Sequence, residues 1–102
     1  MGPIQFAENV TDDVQPVNAS DVFEDGIVSI YAIYSFSGIP KNVATKAIWY
    51  QNGVEIARDE TPWPWGEEGR GYVFLVPRGP GLYKLELHAN DSILATGLFE
   101  IR

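Results

Sequence analysis

His88 is the one histidine of the chain, and there is no cysteine. Acyl-transfer triads and most zinc sites need an imidazole beside other specific groups, and thiolate nucleophiles or thiolate metal cages need cysteine. His88 stands two residues after Glu86 in an alternating segment, so both fall on one strand face, in the pattern of a solvated pair. The acids come largely as neighbours: Asp12-Asp13, Glu24-Asp25, Asp59-Glu60 and Glu67-Glu68. General acid–base work needs two carboxylates facing each other across a cleft, with pKa values driven apart. Adjacent residues on a strand point to opposite faces, and acids in turns are solvated. These pairs therefore read as solubilising turns, and no catalytic residue is assigned. If the two N-terminal acidic turns meet, Asp12, Asp13, Asp21, Glu24 and Asp25 bring enough oxygens together for calcium, although EF-hand spacing is absent. The expectation is a chain with no metal and no cofactor.

The most unusual local string is Thr61-Pro62-Trp63-Pro64-Trp65-Gly66. Extended geometry around the prolines projects both indoles to similar sides. Solvent-facing aromatic pairs stack on sugar rings, so Trp63 and Trp65, with Tyr72, form a candidate carbohydrate site. Glu67, Glu68 and Asn52 are its possible hydrogen-bonding partners. The competing reading is that the indoles cover an open end of the core, since exposed tryptophan is costly.

Behind these residues stands a short chain with room for one core. It has 102 residues, 45% of them apolar and 13% aromatic, so a packed globule is expected rather than disorder. The formal net charge is −7, and the first 26 residues hold six acids and no Lys or Arg. Such a surface repels phosphate backbones and anionic lipid, which excludes nucleic acid as a partner. No apolar run approaches the ~20 residues needed to cross a bilayer, so membrane insertion is not expected. Met1-Gly2-Pro3 is not the start of a signal peptide. The chain is then either cytosolic or one module of a longer, exported protein. Asn9-Val10-Thr11, Asn18-Ala19-Ser20 and Asn90-Asp91-Ser92 fit the glycosylation acceptor pattern, which an exported chain could use; Asn and Ser/Thr also co-occur in turns for their own reasons.

Periodicity argues for strands throughout. Residues 3–8 read as a short edge strand, with 14–17 as its continuation after an acidic turn. A brief helical turn is expected near 18–24, capped by Ser20 and stopped by Gly26. Along 27–36, Val28, Ile30, Ala32, Tyr34 and Phe36 share one face, leaving Tyr31 and Ile33 on the other. Residues 43–51 place Val43, Ala47 and Trp49 together, and Asn52-Gly53 suits a type I′ hairpin back into 54–58. Tyr72, Phe74 and Val76 share a phase along 70–76. In 81–89, Tyr83, Leu85, Leu87 and Ala89 face inward while Lys84, Glu86 and His88 face outward. Residues 93–101 close the sheet with Phe99 and Ile101 inward.

Trp49 resembles the core tryptophan of the third strand of immunoglobulin-like and fibronectin type III-like domains. The Gly81-Leu82-Tyr83 step resembles their tyrosine corner, and Gly97-Leu98-Phe99-Glu100-Ile101 resembles the last strand of such modules in microbial surface and secreted proteins. The resemblance runs from about Ile27 to Arg102, and no cysteine pair flanks Trp49. It implies an all-β fold, a seven-stranded antiparallel immunoglobulin-like sandwich of two sheets, forming one domain over 1–102 with 1–26 as an acidic strand or linker. It also implies a spacer, an interaction module or an enzyme accessory, at the cell surface or outside the cell.

A free antiparallel sheet is polar on its wet face. Ile48, Tyr50, Leu94 and Leu98 all fall on outward phases of the Trp49 sheet, so they form the expected contact face for a protein partner or neighbouring domain.

Overall fold

The computed structural model describes residues 2–38, 43–62, 68–90 and 92–102. Among these there are ten strands and no helix: β1 (Gln5–Ala7), β2 (Asn9–Val10), β3 (Pro16–Val17), β4 (Val22–Phe23), β5 (Ile30–Phe36), β6 (Ala44–Gln51), β7 (Val54–Pro62), β8 (Gly69–Leu75), β9 (Gly81–Ala89) and β10 (Ser92–Ile101). They form a three-stranded sheet in the order β1-β5-β8, a five-stranded sheet in the order β4-β10-β9-β6-β7, and the small β2–β3 hairpin. The expected seven strands in two sheets thus become ten in three.

The two larger sheets face each other across one core. Phe6, Ile30, Ala32, Tyr34, Phe36 and Leu75 come from one side, and Ala47, Trp49, Tyr83, Leu85, Leu87, Phe99 and Ile101 from the other. These are the period-2 positions of their strands, which is why alternation locates most of them. Phe99 is the hub. Tyr83 stacks on it at 4.9 Å, Phe6 reaches across from the other sheet at 4.6 Å, and Trp49 meets it edge-on at 6.4 Å. Gly97 makes the close approach possible: a Cβ there would lie 2.7 Å from Phe6 Cζ.

Asn52 and Gly53 both have positive φ (50° and 84°), as a type I′ turn requires. The Asn52 side chain has a second task, since its Oδ1 accepts a hydrogen bond from the Leu82 N–H at 2.9 Å. Tyr83 reaches back to the turn before β9. Its hydroxyl donates to the Gly79 carbonyl at 2.6 Å and accepts from the Arg78 N–H at 3.0 Å.

The acidic N-terminal region is woven into the fold. β1 pairs with β5, and β4 runs parallel to the last strand, with Val22 beside Glu100 and Phe23 beside Ile101. Phe23 is buried against Phe99 at 6.0 Å. The helical turn expected at 18–24 is therefore corrected. The Ser20 hydroxyl does bind the Val22 N–H and carbonyl, but the chain continues from it into β4. Pairing with β10 and burial of Phe23 outweigh a weak local cap.

Candidate functional site

With the core closed, the surfaces open to chemistry are the two outer sheet faces, the strand edges and the turns. On the five-stranded sheet, the register sets Lys46, Ile48 and Tyr50 of β6 beside His88, Glu86 and Lys84 of β9. Glu86 is the centre of this lattice. Tyr50 donates to it at 3.2 Å, His88 Nε2 lies 3.2 Å from the same oxygen, and Lys84 Nζ is 3.3 Å from the other. Lys84 also sits over the Tyr50 ring at 4.6 Å. The hydrogen bond with His88, joined by those from Lys84 and Tyr50, holds the Glu86 carboxyl below its ordinary value against an opposing desolvation. Desolvation, then the bond to Glu86, pushes the Tyr50 phenol up. Arg58 extends the lattice on β7, bonded to Glu55 at 2.9 Å and Glu60 at 3.1 Å, with Lys46 at 3.9 Å from Glu60. Every charge here has its counterpart on the same face.

The four residues of the expected contact face are placed in different settings. Ile48 lies between Glu86 and Arg58 in register and is only 5% exposed. Leu94 packs against the core, because the irregularity between Ile93 and Ala95 shifts the phase of β10 by one residue. Tyr50 is half-buried in the lattice. Leu98 alone of the four is well exposed, at 67%. It sits with Val22 and Leu82 along an open groove of about 520 Å³, whose rim includes Asp21 and Glu100.

The outer face of the three-stranded sheet is different. Tyr31, Ile33 and Ser35 of β5 lie opposite Phe74, Tyr72 and Arg70 of β8. Tyr31 packs on Tyr72 at 5.8 Å and on Phe74 at 5.7 Å. Phe74 is 57% exposed, whereas Ile33 at the middle of the face is completely buried. Tyr72 and Phe74 do share a phase, but it is the outward one; the core takes Val73 and Leu75, with Gly71 also buried. Tyr31 and Ile33 lie on the outer face as their phase requires. No ion pair among the described residues involves Arg70, and its Nε is buried without a hydrogen-bond partner.

The remaining candidates fall partly outside the described residues, and those within them are placed apart. Trp63, Trp65 and Glu67 lie outside the described residues. Of the other sugar-binding candidates, Tyr72 joins the aromatic cluster and Asn52 is engaged with Leu82. Among the described residues, no three of the acids and His88 come together as a metal site, so the calcium alternative has no assembled ligand set. Asp13 instead accepts a hydrogen bond from the Thr11 hydroxyl within the β2–β3 turn. Asn9, Asn18 and Asn90 are all exposed, with Asn18 bonded to Glu8 at 2.8 Å.

The aromatic cluster is the feature hardest to see in the sequence. Its one signal is that residues 70–76 carry large apolar residues on the phase next to two glycines, which leaves the bulkier side outside. No helix among the described residues is long and apolar enough to cross a membrane. No protein-family model matches the chain, and no curated protein matches it.

Proposed function

We propose that this chain is an immunoglobulin-like module without a catalytic role, part of a larger cell-surface or secreted protein, and that it binds a protein partner or neighbouring domain through the outer face of its three-stranded sheet. Three features support the immunoglobulin-like reading. The N-terminal pairing is divided between the sheets, β1 on β5 and β4 parallel to β10. Trp49 is buried on β6, and the Tyr83 hydroxyl bonds back to Gly79 as a tyrosine corner does. The β2–β3 hairpin is an addition between the two N-terminal halves.

The observation that carries the partner reading is Phe74, more than half exposed yet packed on Tyr31 in an aromatic cluster. Aromatic residues are enriched in interface cores, where charge is depleted. The opposite face, around Glu86, is a lattice of internally paired charges, which is the composition of a wet surface. A photo-cross-linking residue placed at Phe74 captures a defined protein in the cells that make the chain, and the same residue at Thr96 on the opposite face does not. Equal capture from both positions, or from neither, contradicts the assignment.

Carbohydrate binding is the second reading. It is favoured by Tyr72 and Tyr31 standing side by side on the outer face of the sheet. A glycan array separates the two: binding lost in Tyr72→Ala supports the sugar, and an array without signal removes it.

A further inference from the structure

Among the described residues the two larger sheets have four edge strands, and they differ in how they resist pairing. β4 has two residues, and β1 has three and comes just after Pro3. β7 is long, but it carries Glu55, Arg58, Asp59 and Glu60 and closes on Pro62. Charges, proline and shortness are the usual devices that keep an edge from pairing with another chain. β8 has the fewest of them. It runs for seven residues, Gly69-Arg70-Gly71-Tyr72-Val73-Phe74-Leu75, with one charge, no acid and no proline. Among the described residues it pairs on one side only, with β5.

We propose that the edge of β8 turned away from β5 pairs with β8 of a second copy of this chain, antiparallel and centred on Tyr72, joining two three-stranded sheets into one of six. The proposal is independent of what the aromatic face binds. A two-fold axis requires like strands to meet antiparallel, and β8 is self-complementary in that register. Tyr72 lies opposite its own copy, and each Arg70 lies opposite Phe74 of the other chain, on the same outer face. A guanidinium over an aromatic ring is a favourable pair. Arg70 is suited to it. Lys46, Arg58, Lys84 and Arg102 have carboxylate partners and Arg78 donates to the Ile56 carbonyl, whereas Arg70 has no ion pair among the described residues. β8 is also a long edge without the like charge that a chain of net charge −7 would bring to a self-contact. Pairing aligns Tyr31, Tyr72 and Phe74 of both copies into one continuous aromatic face. A seven-residue edge is a small contact, so the dimer is weak and concentration-dependent.

The absence of cysteine gives a clean test. Cα atoms of directly opposed antiparallel residues are about 4.5–5.5 Å apart, inside the range a disulfide spans. Under mild oxidation, Tyr72→Cys forms a covalent dimer about tenfold or more faster than Leu98→Cys, an exposed control on the opposite sheet. In parallel, sedimentation of the unmodified chain shows a monomer–dimer equilibrium between micromolar and millimolar concentration. Arg70→Glu, which sets an acid against the Phe74 ring, weakens it about tenfold or more. A strict monomer across that range overturns the proposal. So does Tyr72→Cys linking no faster than Leu98→Cys, or an Arg70→Glu protein that melts normally and dimerises unchanged. Capture at Phe74 separates the two ideas by product: a cross-link to a second copy of this chain reports the β8 dimer, and a cross-link to a different protein reports the partner, so each can fail without the other.

Discussion

On the five-stranded sheet, Glu86 gathers Tyr50, Lys84 and His88, while Arg58 gathers Glu55 and Glu60. On the three-stranded sheet, Tyr31 gathers Tyr72 and Phe74, and Arg70 stands in register beside them with no ion pair among the described residues. Both faces are outward phases of antiparallel strands over the same core. The first satisfies its own charges and has little left to offer a partner. The second keeps apolar area in water, which is unfavourable unless something covers it. The difference teaches where to look: the proposed contact surface is the face whose composition folding alone does not explain.

The comparison can be tested by variants that act on the shared core, on one face, or on the other. The largest effect on stability belongs to the core. Trp49→Ala removes a buried indole that meets Phe99 and lies under both sheets, and it should cost about 3–5 kcal/mol. Denaturant unfolding checks it, and both faces should be lost together in one cooperative transition.

Tyr83→Phe keeps the ring stacked on Phe99 but leaves the Arg78 N–H and Gly79 carbonyl without their partner. It should cost roughly 1–3 kcal/mol in the same assay, with the aromatic face unchanged.

Glu86→Gln probes the polar lattice and should cost about 0.5–1 kcal/mol at neutral pH. Its pH dependence carries the sign. The carboxyl of Glu86 is lower in the folded chain than in the unfolded one. Its contribution is therefore fully present above the unfolded carboxyl value and is lost as pH falls through the folded one. Melting curves of parent and variant should converge in acid and separate on the neutral side. Separation that persists below the carboxylate range would show that the lattice works by packing instead.

The smallest stability effect is expected at the other face. Phe74→Lys should change folding by less than about 1 kcal/mol, since it breaks one exposed aromatic pair. It should nevertheless abolish partner capture, whereas Glu86→Gln should leave capture intact. A variant pair with the opposite outcomes would invert the comparison.

Much of this architecture is legible in the residues, and the limits have physical causes. Strong alternation locates the inward phases of β9, the end of β10 and β5, and Asn52-Gly53 identifies its hairpin, because those signals are local. The pairing of β4 with β10 is not legible. It joins residues almost eighty positions apart, and a two-residue strand has no period of its own. The phase of Leu94 escapes a reading by alternation because one bulge residue reverses every position on one side of it. The aromatic face is only half visible. Tyr31 and Ile33 have an outward phase, but strand 70–76 is apolar on both phases, and alternation cannot say which one the core takes. Ile48 reads as open because its phase is outward, yet the long side chains flanking it in register leave it buried.

Chemical-shift mapping of the isotope-labelled chain with the protein captured at Phe74 tests the central claim most directly. The account predicts that line broadening and shifts gather on Tyr31, Tyr72, Phe74 and their strand neighbours, with Tyr50, Glu86 and His88 unperturbed. Perturbations centred on Tyr50, Glu86 and His88, with β5 and β8 silent, would contradict it.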